Sequence, residues 1–139
     1  MKAVTFSYDD GVTQDIRLVE ILNRYNLKAT FNLNSELLGK DGSLDILGKR
    51  ILHNKIQPHE ITEVYKGHEI AAHTLTHPDM TEMPADEVIR QVEQDRLNLS
   101  ELSGTEVIGM AYPGRQPNYN SRIARIIKNG TGVKYARTT

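Results

Sequence analysis

The chain has 139 residues, 38% of them hydrophobic and 25% charged, the make-up of one globular domain with enough apolar side chains for a core. Its 17 basic and 18 acidic residues nearly cancel and form no basic stripe, which argues against a nucleic-acid partner. No apolar run approaches the roughly 20 residues that span a bilayer, so no membrane partner is expected. Cysteine is absent, which excludes disulfides, thiolate nucleophiles and cysteine-based zinc sites and leaves His, Asp or Glu to hold any metal. The first residues, MKAVTF, run into a strand-like segment without the charged and apolar regions of a signal peptide. The chain as written is therefore expected to be cytoplasmic, and extracytoplasmic only where an export signal has been removed.

Short apolar runs alternate with segments of helical period, which predicts an α/β fold of βα units around a parallel sheet. Ala3 to Tyr8 reads as the first strand, followed by a helix whose apolar positions are Val12, Ile16, Val19, Leu22 and Tyr25, ending near Asn26. Lys28 to Asn34 alternates and is rich in β-formers, giving a second strand. Ser35 to Gln57 matches neither period. Pro58 opens a short helix carrying Ile61, Val64 and Tyr65, and Glu69 to His73 reads as a third strand. Pro84, at the first helical position, starts the longest helix, with Val88, Val92, Leu99 and Leu102 on one stripe and Gly104 as its stop. Glu106 to Tyr112, a helix over Ser121 to Lys128, and Gly132 to Arg137 complete the series.

In a parallel α/β arrangement the chemistry sits at the C-terminal ends of the strands, and the unusual residues fall there. Asp9-Asp10-Gly11 follows the first strand; taken alone it is a polar turn, with Gly supplying positive φ. Two adjacent carboxylates could also cradle a cation, or divide the work so that one binds metal while the other acts as a base. His73-Thr74-Leu75-Thr76-His77, closed by Pro78, ends the third strand. Fully extended, its histidines would lie roughly 13 Å apart, too far to share an ion, whereas a tight loop brings them within about 6 Å. With Asp10 beside them, two His and one carboxylate form the ligand set of a catalytic zinc-type site with a position open for water. Tyr112-Pro113-Gly114 ends the fourth strand; it reads as a turn, and one that can aim a backbone N–H at a developing oxyanion. Tyr8, Tyr112 and Tyr119 either stack on a ligand or fill the core, and core packing is the more ordinary role.

Taken in this order, the motifs resemble those of the polysaccharide deacetylase family, the NodB-homology or carbohydrate esterase family 4 domain, over essentially the whole chain. That family opens with T-F-D-D-G, which Thr5-Phe6-Ser7-Tyr8-Asp9-Asp10-Gly11 carries with two residues inserted. The H-[ST]-x-x-H motif is matched fully by His73 to His77, and the R-x-P-Y-like motif only partly by Ala111-Tyr112-Pro113-Gly114. Phe31 and Asn32 suit the family's second strand. The resemblance implies a distorted (β/α) barrel of the NodB type, here incomplete with about five strands, as a single domain over residues 1–139 cut short at its C-terminus. It implies one divalent metal, zinc ahead of cobalt or nickel, held by Asp10, His73 and His77. Asp9 would be the general base, the Gly114 backbone N–H an oxyanion donor, and Tyr112 and Pro113 would touch the substrate, an N- or O-acetylated carbohydrate.

The chain departs from the family pattern in two ways. The Arg that opens the third motif and pairs with the base is replaced by Ala111, leaving Arg115 and Arg137 as substitutes. No histidine follows His77, so the late L-x-H motif that supplies the family's catalytic acid has no counterpart. His53, His59 and His68 fall in connecting segments and are expected to be solvent-exposed. An open five-stranded sheet would leave edges and an apolar face uncovered, which predicts self-association into a homo-oligomer, a partner chain, or truncation of a longer protein. The expected function is a metal-dependent carbohydrate deacetylase. The alternatives are a hydrolase of a small amide or ureide with the same metal set, and a non-catalytic metal- or sugar-binding remnant.

Overall fold

The computed structural model describes residues 3–138. In chain order its elements are β1 (Ser7–Asp9), α1 (Asp15–Arg24), β2 (Thr30–Leu33), β3 (Ser43–Ile46), β4 (Lys49–Leu52), α2 (Ile61–Val64), β5 (Glu69–Ala72), α3 (Ala85–Ile89), α4 (Asp95–Ser103), β6 (Gly109–Ala111), α5 (Ser121–Gly130) and β7 (Tyr135–Arg137). A 3-10 turn, Pro58–Glu60, leads into α2, and a π-helical stretch, Arg90–Gln94, fuses α3 to α4 into one long helix.

β1, β2, β5, β6 and β7 form one five-stranded sheet in that order, every neighbouring pair parallel. Because spatial order follows chain order, each crossover steps the same way and the sheet winds toward a barrel instead of doubling back. A flat sheet would hold its edge strands roughly 19 Å apart at about 4.8 Å per spacing. Yet Arg137 at the end of β7 bonds Asp9 at the end of β1. The sheet is therefore a curled half-barrel, an incomplete barrel of the NodB type. Phe31, Leu33, Ala72 and Met110 on its strands pack with Val19 and Leu22 of α1, Val88, Val92 and Leu99 of the long helix, and Ile123 and Ile127 of α5.

Several sequence expectations shift in detail. In α1 the buried positions are Asp15, Val19 and Leu22, while Ile16 and Tyr25 are exposed. The inward face turns because Asp15 accepts a 2.8 Å hydrogen bond from the buried Tyr65 hydroxyl, so a polar residue occupies a place that hydropathy assigns to Ile16. Leu102 is likewise exposed. Pro84 caps the long helix from outside, with an extended ψ of 150°, and Gly104 ends it in the left-handed region at φ 69°. The strands are shorter than the segments that announced them, three or four residues each in the five-stranded sheet. The unassigned segment holds the antiparallel hairpin β3–β4. Its two-residue turn, Leu47 and Gly48, has φ of 51° and 75°, the type I′ geometry, but leucine stands where Asn or Asp normally announces it. Both strands are exposed throughout, and only the short β3, Ser43–Ile46, alternates polar and apolar residues.

Candidate metal centre

Asp9 ends β1, and Asp10 follows in the left-handed region at φ 80°. Such a conformation in a non-glycine residue is uncommon and costs free energy unless its surroundings impose it. Here the Asp10 N–H donates to the Asn32 carbonyl at 2.9 Å, and Gly11, at φ 61°, completes the turn. A Cβ on Gly11 would lie 2.8 Å from Leu33 Cδ2, so the turn has no room for a side chain. Thr74 and His77 also have positive φ, of 69° and 58°. Strain is thus concentrated at the two loops the motifs occupy.

These loops bring Asp10 Oδ1 to 3.9 Å from His73 Nε2 and 3.7 Å from His77 Nε2, and one ligand atom from each of the three residues lies within 4.8 Å of the other two. The loop after β5 therefore closes tightly enough for its histidines to share an ion. His73 is buried, and its Nδ1 lies 2.9 Å from the Ala111 carbonyl. A carbonyl only accepts, so Nδ1 carries the proton and Nε2 keeps its lone pair for a cation. Burial holds the His73 imidazole below its ordinary pKa, against the raising influence of Asp9, and so favours the neutral ligand form. For Asp10, burial pushes the carboxyl upward, but Lys55, His73, His77 and His53 together outweigh it and hold the group below the usual carboxylate value.

The framework behind the histidines is polar and buried. Asp95, at the start of α4, accepts from the His73 N–H at 2.9 Å and the Ser35 N–H at 2.7 Å, tying together the loops after β5 and β2. Burial pushes its carboxyl up to about 7, while the bonds from Ser35 and His73 pull it down. Asn34 donates to the carbonyls of His73 and Thr74 at 2.6 and 2.8 Å. The His77 N–H donates to Thr74 Oγ1 at 3.1 Å. Gln91, in the π-helical stretch, accepts the Leu75 N–H on its carbonyl at 3.0 Å and the Thr76 N–H on Oε1 at 3.2 Å. The helical irregularity thus sits against the histidine loop, where such bulges commonly serve a site.

Asp9 Oδ1 accepts from Asn32 Nδ2 at 2.8 Å and from Arg137 Nη2. Of the two arginines considered as substitutes, Arg137 is the one that reaches Asp9. In the β6–β7 register Ala111 pairs with Arg137, so the guanidinium comes from the neighbouring strand at the same level. Tyr112 and Pro113 are buried, and Tyr112 stacks on Tyr119 with ring centroids 5.2 Å apart. The aromatic ring exposed there is that of Tyr119. Gly114 is exposed at φ 84°, and its carbonyl accepts from Asn118 Nδ2 at 3.3 Å.

One expectation is corrected outright. His53 is not simply solvent-exposed, because its Nε2 lies 3.2 Å from Asp10 Oδ2. Lys55, buried and unmarked by any motif, places Nζ 3.6 Å from Asp10 Oδ1. His59 is exposed as expected, while His68 is partly buried and accepts the Ala29 N–H on Nδ1 at 3.2 Å. The only advance sign of His53 and Lys55 was their spacing by two in a segment of unassigned structure.

The sequence profile of the polysaccharide deacetylase family matches residues 1–136. The chain belongs to that family. Within it, the chain is 27% identical over 107 residues to a bifunctional xylanase/deacetylase of Pseudobutyrivibrio xylanivorans, covering 76% of this chain and 15% of that protein. It is also 27% identical over 94 residues to the peptidoglycan-N-acetylglucosamine deacetylase PgdA of Listeria monocytogenes, covering 66% of this chain and 17% of that protein. Among solved structures, the Streptococcus pyogenes deacetylase PplD in complex with acetate superimposes with a TM-score of 0.71 at 21% identity, covering 99% of this chain and 65% of that one. The chain therefore spans a small fraction of those curated relatives and under two thirds of the streptococcal protein. In β1, Ser7-Tyr8-Asp9 runs straight into Asp10-Gly11, with Tyr8 at the centre of the strand. Its ring stacks on Phe31 of β2 at 5.7 Å. No helix among the described residues is long and apolar enough to cross a membrane.

Proposed function

We propose that this chain carries the metal-binding and general-base half of a deacetylase acting on an N- or O-acetylated carbohydrate. The observation that carries the reading is the meeting of Asp10 Oδ1 with the Nε2 atoms of His73 and His77, while the other nitrogen of His73 is committed to the Ala111 carbonyl. This neutral-imidazole and carboxylate set suits one divalent cation of the zinc, cobalt or nickel kind and leaves a coordination position open. Such a cation, when bound, supplies Lewis acidity for the acetyl carbonyl and the attacking water.

The protein's own groups do the rest. Asp9 takes the proton of the attacking water, and because Asn32 and Arg137 both engage Oδ1, Oδ2 is the oxygen available to receive it. The Gly114 backbone N–H is the protein donor assigned to the oxyanion. Tyr112 and Pro113 shape the wall beneath it, and the exposed Tyr119 ring offers a sugar-stacking face. Deacetylation assays on chito-oligomers test the reading. Acetate release that falls by at least about a hundredfold in Asp9→Asn supports it, whereas equal release by both proteins, or ammonia from ureides in place of acetate, sinks it. Metal retained with no turnover of any acetylated sugar would point instead to a metal- or sugar-binding module.

A further inference from the structure

The segment after the β3–β4 hairpin returns to the site in extended form and pairs with the chain leaving Asp10. The Thr13 N–H donates to the Asn54 carbonyl at 2.8 Å and the Ile56 N–H to the Gly11 carbonyl at 2.9 Å, around an antiparallel bridge between Val12 and Lys55. Alternation along an extended chain puts residues two apart on one face. His53 and Lys55 accordingly both face Asp10, one on each carboxylate oxygen, at 3.2 Å from Oδ2 and 3.6 Å from Oδ1. The hairpin base is held by further bonds from Gln14 Nε2 to the Leu52 carbonyl at 2.6 Å and from the Gly42 N–H to Asn54 Oδ1 at 3.0 Å. Asp15, buried nearby, adds a second carboxylate within electrostatic reach of the Lys55 ammonium.

We infer that His53 and Lys55 are positioning residues of opposite effect that set how tightly Asp10 holds a divalent cation. The imidazole fixes Oδ2, so that Oδ1 turns toward His73 and His77. The Lys55 ammonium lies against that same Oδ1 and competes with the cation for it. This assignment rests on reading Asp10, His73 and His77 as a metal site. Orientation by a neighbour of this kind is commonly worth about 10- to 100-fold in metal affinity, and a fixed positive charge a few ångströms from the ion opposes binding on a similar scale.

The test is the Co2+ dissociation constant, measured by competition with a chelator and read from the cobalt absorption spectrum. Wild type is compared with His53→Ala, His53→Gln and Lys55→Met, with circular dichroism as a check on folding. Binding is expected to weaken by about tenfold or more in His53→Ala, to return largely in His53→Gln, whose amide can still donate to Oδ2, and to tighten by about tenfold in Lys55→Met. Were Lys55→Met to unfold for want of a counter-ion to Asp15, the double variant Asp15→Asn/Lys55→Met removes both charges and is expected to tighten binding still, by less than the single variant because the lost carboxylate also attracts a cation. Weaker Co2+ binding in both single variants would mean the two side chains merely pack, and unchanged binding would mean they do not act on Asp10; either result overturns the inference while leaving the metal site standing. A wild type that takes up no Co2+ overturns the metal site itself and this inference with it.

Discussion

Asp15 is an acid on the buried face of α1, bonded to Tyr65 and pushed by burial up to about 6. A carboxyl whose folded-state pKa lies above its unfolded value of about 3.9 contributes its stability below the unfolded value and loses it as pH rises through the folded one. The window therefore runs from about pH 4 to pH 6. Asp15→Asn keeps an acceptor for the Tyr65 hydroxyl and removes the titration. Urea unfolding is expected to show wild type losing up to about 3 kcal/mol relative to Asp15→Asn as pH goes from 4 to 7; a difference that stays constant with pH would show that Asp15 titrates as an ordinary surface acid. Burial pushes Asp95 up as well, to about 7, but Asp95 also accepts two backbone N–H groups. In Asp95→Asn the amide nitrogen must face one of those donors, so stability should fall by about 1.5–3 kcal/mol. Binding of Co2+ should weaken in parallel, since the His73 N–H loses one of its two acceptors and keeps only the Leu33 carbonyl. Isothermal titration beside unfolding curves would reveal whether both losses occur.

Among elements, the turn after β1 and the hairpin β3–β4 depend on positive φ in different ways. Gly11 and Gly48 have φ of 61° and 75°, but a Cβ on Gly11 meets Leu33 at 2.8 Å while one on Gly48 has nothing within 4 Å. Gly48→Ala should therefore cost only the backbone term, about 1 kcal/mol, and Gly11→Ala about 1–2 kcal/mol more. Equal losses in denaturant unfolding would contradict the close packing of the first turn on β2. These elements also mark the limits of what the sequence disclosed. Asp10, His73 and His77 were legible because residue type, order and strand-end position pointed the same way. The βα alternation was legible because strands such as Thr30–Leu33 alternate polar and apolar β-formers while the helices keep a longer period. The hairpin was not, since leucine at the first turn position leaves Gly48 as its only turn signal, and with it went His53 and Lys55, which meet Asp10 only once that hairpin folds back. Ile16 misled for a related reason: the buried Asp15–Tyr65 hydrogen bond has no hydropathy signal.

At the scale of the whole molecule, the curled sheet converts two chain-distant residues, Asp9 and Arg137, into partners. The guanidinium reaches Asp9 from β7, where Arg137 pairs in register with Ala111 of β6. Because the pair is partly exposed, its contribution to global stability is small, at most about 1 kcal/mol, and its effect is local. Arg137→Leu should speed amide hydrogen exchange in Tyr135–Arg137 while leaving Thr30–Leu33 protected, and uniform acceleration through the sheet would mean that the edge contact holds the whole fold. The same curl gathers the loops after β1 and β5 on one rim, and the central claim is that this rim holds a divalent metal. The most direct test is elemental analysis of the purified chain after dialysis against a weak chelator, with His73→Ala and Asp10→Ala alongside. The account predicts near-stoichiometric zinc, cobalt or nickel in wild type and its loss in both variants. A metal-free wild type, or metal retained in both variants, would contradict it.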